Sequence, residues 1–122
     1  MRIAVTSTEK TLDSTLDPRF GRAACFIIID TETMDFKAIE NESVEAAGGA
    51  GISSAKLVAD NNAEAVLTGN CGPNAHRTLT AGGIKVYTCT AKTVKEAVEL
   101  FKAGKLAEAA ESNVQSHFGM EG

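Results

Sequence analysis

Ala24-Cys25-Phe26-Ile27-Ile28-Ile29-Asp30 is a short, continuous apolar run closed by a carboxylate. It is too short for a packed helix, and its lack of polar alternation marks a strand covered on both faces, hence central in its sheet. Before it, Arg2-Ile3-Ala4-Val5-Thr6 alternates and carries β-branched residues, which predicts a first strand. The stretch between them, Ser7 to Arg22, is polar and irregular, and its Asp17-Pro18-Arg19-Phe20-Gly21-Arg22 holds the Pro and Gly of a turn. After the apolar run, Thr31 to Asp35 reads as a hairpin turn and Phe36 to Asn41 as a more exposed third strand.

Further on, helix and strand signals alternate. Gly48-Gly49-Ala50-Gly51 opens a helix with Ile52, Ala55, Val58 and Ala59 on one face, and Asn61-Asn62 ends it. Ala65 to Thr68 is a short strand. Gly69-Asn70-Cys71-Gly72 leads to Pro73, the expected first residue of a helix that Gly82-Gly83 stops. Ile84 to Thr88 is a fifth strand. Thr93 and Glu96 form a capping box, and Val94, Ala97, Val98 and Phe101 make a packed helical stripe. The order β-β-β-α-β-α-β-α predicts an α/β fold: a mixed sheet of about five strands flanked by helices, the first three strands an antiparallel meander, of ribonuclease H-like type. The domain spans 1–110, and 111–122 reads as a loose polar tail.

The chain has 122 residues, 43% hydrophobic and 23% charged, which argues against disorder and suits one domain. Its net charge of −4 lacks the footprint of a general nucleic-acid binder. No stretch approaches a membrane span, and three cysteines without paired spacing make no disulfide framework. The expected setting is therefore the cytoplasm, with no nucleic-acid or membrane partner. Carboxylate pairs for two-metal nuclease chemistry are missing from the first strand, and no Gly-x-Ser-x-Gly elbow appears, so the reading is non-catalytic.

With the first strand running up, one sheet edge collects the 7–22 loop, Cys25, the Gly48–Gly51 loop, the Gly69–Pro73 loop and Cys89 to Lys92. Open α/β sheets bind ligands at such an edge, and two helix N-termini there suit an anion. Cys71 has two readings: a loop thiol whose thiolate the helix dipole favours, or a small residue tolerated in a tight turn. Cys25 reads as core, and Cys89 as structural at a strand end. His76, one turn into the second helix, is either an exposed helix residue or a metal ligand. His117 lies in the tail. Arg19 and Arg22 flank Phe20-Gly21, and Arg22 is favoured as a partner for an anion.

Met1-Arg2-Ile3-Ala4-Val5, Phe20-Gly21-Arg22-Ala23, Gly48-Gly49-Ala50-Gly51-Ile52 and Gly72-Pro73-Asn74-Ala75, in that order, resemble the dinitrogenase iron–molybdenum cofactor biosynthesis family, the NifX/NafY-like proteins and their small stand-alone members. The resemblance covers about residues 1–110. It implies reversible binding of an anionic metal–sulfur cluster (Fe–S or Mo–Fe–S) and cluster donor and acceptor proteins as partners. A monomer or weak dimer is expected. The expected contacts are Cys71 and His76 to metal, with Arg22, Gly49, Ala50, Gly51, Gly72 and Asn74 holding the cofactor. The alternative is a regulatory or interaction domain that binds a phosphate-bearing small molecule at the two helix N-termini.

Overall fold

The computed structural model describes residues 1–41 and 50–109. The expectations placed on Gly48, Gly49, the Ala50 side chain, His117 and the 111–122 tail fall outside the described residues. Five strands, β1 (Arg2–Ser7), β2 (Cys25–Asp30), β3 (Phe36–Glu40), β4 (Ala65–Thr68) and β5 (Lys85–Thr88), alternate with α1 (Ala50–Asp60), α2 (Pro73–Ala81) and α3 (Val94–Lys102) in the expected sequence. The sheet order is β3-β2-β1-β4-β5. β2 runs antiparallel to both neighbours, while β4 and β5 run parallel to β1.

The apolar run of β2 therefore lies inside the sheet, as its composition requires, but β1 takes the middle place. β1 is itself buried from Ile3 to Ser7. Period-two alternation divides the strands between two cores. Ala4, Phe26, Ile28, Val66 and Val86 face α1 and α2 through Ala55, Val58, Ala75 and Leu79. Ile3, Val5, Ile27, Ile29 and Leu67 face α3 through Val94, Ala97 and Val98. The two crossover helices α1 and α2 thus cover one face, and α3, after β5, covers the other.

Local signals end the elements where expected. Asn62 adopts a left-handed φ of 64° just after α1, and the Asn61 amide side chain donates to Leu57 O at 2.8 Å. Thr93 caps α3 by accepting from Glu96 N at 3.1 Å, and Glu96 Oε1 accepts from Lys92 N at 2.8 Å. The reciprocal arm of the box thus reaches one residue further back than the usual form.

Candidate functional site

Strand directions bring the ends of β1, β3, β4 and β5 and the start of β2 to one edge. The residues 8–24 cross that edge and are stitched to each neighbour. Leu16 N donates to Lys92 O, while Ser14 O and Leu12 O accept from Val94 N and Lys95 N at the head of α3. Phe20 N donates to Asn70 O at 3.1 Å, and Asn70 Nδ2 donates to Pro18 O at 3.2 Å. Gly69 lies so close to this loop that a Cβ there would sit 2.7 Å from Pro18 Cα. On the other side, Asn41 Nδ2 donates to Gly21 O and Ala23 O, and Ser54 Oγ on α1 donates to Asn41 Oδ1. Phe20 anchors the loop: it is 2% exposed and packs on Phe26 with ring centroids 5.4 Å apart. Burying that ring leaves Arg19 and Arg22, on either side, exposed at the rim.

Between this loop and the ends of β2 and β3 lies a groove of about 760 Å³, whose lining includes Lys10, Arg19, Arg22, Cys25, Glu40 and Asn41. Asp17, 2% exposed, sets the pose of Arg19: its Oδ1 accepts from Arg19 N at 3.0 Å and from Arg19 Nε at 3.3 Å. Lys10 Nζ meets Glu40 Oε2 at 2.7 Å. Their hydrogen bond holds the Lys10 ammonium above its ordinary pKa and the Glu40 carboxyl below its own. A smaller cleft of about 350 Å³ lies at the opposite edge, among Arg2, Asp30, Asp35 and Lys37. The rim groove is the stronger candidate, because its lining carries three cations against the carboxylates of Glu9 and Glu40, whereas the opposite cleft is balanced at two and two.

One of the thiols, Cys71, sits differently from the reading of an accessible loop thiolate. Cys71 is 1% exposed and packs in the core with Phe20 and Ala75. Burial pushes its thiol up to about 11, so desolvation outweighs any pull from the α2 dipole and the group is a neutral thiol near pH 7. The picture of a solvent-facing loop thiolate is therefore corrected: residue 71 is buried in the core on the α1–α2 side of the sheet. Cys25 is buried as expected, and its Sγ donates to Glu9 O at 2.9 Å. Cys89 is half-buried against the α3 core, and burial raises its pKa as well. None of Cys25, Cys71 and Cys89 is in a disulfide.

His76 is also no exposed helix residue. It is 8% exposed, and its Nε2 lies 3.0 Å from Ala109 O, tethering the segment after α3 to the first turn of α2. Gly51 has a packing reason: a Cβ there would meet the Ala75 Cβ at 3.1 Å, where α1 and α2 approach. Gly72 caps α2 without a side-chain hydrogen bond, and a Cβ on it would meet nothing within 4 Å. Of the expected contacts, Arg22 lines the groove, whereas Cys71, Gly72, Asn74 and His76 do not. No group of three or more His, Cys, Asp or Glu suited to a metal ion occurs among the described residues. Nor is any helix among them long and apolar enough to cross a membrane.

Sequence reasoning passed over Lys10, Asp17 and Asn41. A usable signal was present for one of them: Asp17 two residues before Arg19 is an Asx-turn spacing.

The family model described as dinitrogenase iron-molybdenum cofactor matches residues 1–104. A curated relative, an uncharacterized protein of Methanocaldococcus jannaschii, is 35% identical over 94 residues, 75% of this chain and 80% of the relative. Among solved structures, the apo form of the orange protein from Desulfovibrio gigas is 43% identical with a TM-score of 0.90, covering 93% of this chain and 96% of that one. A putative NifB protein from Thermotoga is 36% identical with a TM-score of 0.78, covering 99% and 98%.

Proposed function

Because the chain belongs to the dinitrogenase iron–molybdenum cofactor family, we propose that it is a non-catalytic carrier of an anionic metal–sulfur cluster, taken up reversibly at the rim groove. The observation that carries the reading is the groove itself, where Lys10, Arg19 and Arg22 converge on a space of about 760 Å³. Guanidinium groups suit a bulky, diffuse anion, because they are weakly hydrated and present several donors in a plane. A site built from cations rather than from several thiolates holds by charge and releases by exchange, as a carrier must. A relative named for its colour and described in an apo form supports a removable chromophore.

In this reading Arg22 is the leading contact. Its neighbours Gly21 and Ala23 are held through their carbonyls by Asn41, so the guanidinium is presented from a fixed backbone. Cys71 and His76 act behind the site, as packing and as a tether. The starts of α1 at Ala50–Gly51 and of α2 at Gly72–Asn74 contribute backbone N–H groups at the same sheet edge, except at Pro73, which has none. The order β3-β2-β1-β4-β5, with β2 alone reversed, supports a ribonuclease H-like sheet. Cysteines outside any disulfide support a cytoplasmic carrier working between a cluster donor and an acceptor.

The test is to add tetrathiomolybdate, a small coloured molybdenum–sulfur dianion, to the protein without oxygen and follow its visible absorption through gel filtration. Co-elution with the parent, and about tenfold weaker binding by Arg22→Gln, a 1.4 kcal/mol change, is the expected result. Phosphate in excess serves as the control for the alternative ligand. Retention of phosphate but not of the coloured anion would overturn the reading.

A further inference from the structure

We propose that Lys10 is a cargo-binding residue, and that Glu40 is the counter-ion it gives up when the anion arrives. The inference rests on the reading of the groove as the cargo site and adds to it a binding residue and the means of exchange. Lys10 stands on the loop wall and Glu40 at the end of β3, and both line the groove. Their bond of 2.7 Å is an ion pair between the two walls. The backbone around Lys10 is fixed on both sides: Ser7 Oγ donates to Glu9 O at 2.6 Å, and Thr11 N donates to Ser14 Oγ at 3.1 Å. Only the side chain has to swing.

The exchange is cheap for Glu40 and favourable for Lys10. The two side chains are 69% and 60% exposed, so a released carboxylate is rehydrated where it stands. A dianion resting against Arg19 and Arg22 offers Lys10 a partner of twice the charge. Arg19 is already pinned by Asp17, whereas Lys10 can reach the anion by exchanging one exposed partner. An empty groove thus carries its own weak competitor. That lowers affinity modestly and gives the departing anion a group to replace it.

The experiment is a double-mutant cycle with tetrathiomolybdate as the probe, using the parent, Lys10→Gln, Glu40→Gln and the double variant, at low and at high ionic strength. Lys10→Gln should weaken binding several-fold. Glu40→Gln should tighten it about two- to fivefold, the range that exposed ion pairs support. That gain should vanish in the Lys10→Gln background. Equal tightening in both backgrounds would mean simple repulsion by Glu40 and would overturn the proposal, as would parent-like affinity in Lys10→Gln. If the parent itself retains no probe, the reading of the groove fails, and this proposal with it. If the parent binds and only the cycle is flat, the reading stands and Lys10 is removed from the site. All the changed side chains are exposed, so melting curves should match the parent and serve as the check on folding.

Discussion

Residue 71 shows how far a local reading reaches. Between Asn70 and Gly72 nothing apolar adjoins the thiol along the chain, so the sequence suggested a small cost for losing it. In the structure it belongs to a core cluster that includes Phe20, about fifty residues away, and no local pattern encodes that burial. Cys71→Ser should therefore lower stability by about 0.5–3 kcal/mol in denaturant unfolding, because a hydroxyl costs more to desolvate in the core than the thiol it replaces. The same burial predicts a pH effect. The folded thiol titrates at about 11 against an ordinary 9.0, so between these values the unfolded chain loses its proton first. Stability then falls as pH rises through that window, and Cys71→Ala should flatten the alkaline part of a thermal-melting profile. The rim position of Arg22 was legible where the burial of Cys71 was not. Arg22 follows a buried aromatic in a polar loop, and exposure of a cation beside such an anchor is a local inference.

At the level of elements, strands and helices were readable because each carries its own period or cap, whereas the 8–24 loop carries neither. Its bridges, Ser7 to Leu16, Thr15 to Thr93 and Arg19 to Asn70, are set by tertiary pairing and leave no repeat in the sequence. Two substitutions separate these cases. Thr93→Ala removes a cap the sequence announces and should cost about 1 kcal/mol without touching the groove. Gly69→Ala drives a methyl into Pro18 and should cost about 1–3 kcal/mol of overpacking strain. Because Pro18 adjoins Arg19, that variant should also bind tetrathiomolybdate more weakly, which Thr93→Ala should not. Equal binding by the two variants would show that the loop's attachment to β4–α2 is irrelevant to the groove.

For the molecule as a whole, topology determined the edge at which a ligand would meet the sheet, and the groove lies there. Its position along that edge, at the β2–β3 side, depended on how a long loop folds back, which order alone does not state. The central place of β1 has a consequence for how the chain is made. β1 pairs on one side with β2 and on the other with β4, whose residues 65–68 follow some sixty positions later. During synthesis the β1–β2–β3 meander can close as it leaves the ribosome, but the far edge of β1 stays open. At roughly 5–20 residues per second, translation leaves that edge unpaired for several seconds. Ile3 and Val5 lie along it, so the nascent chain passes through a stage with an apolar strand edge available to other chains. The vulnerable interval ends when β4 emerges and docks.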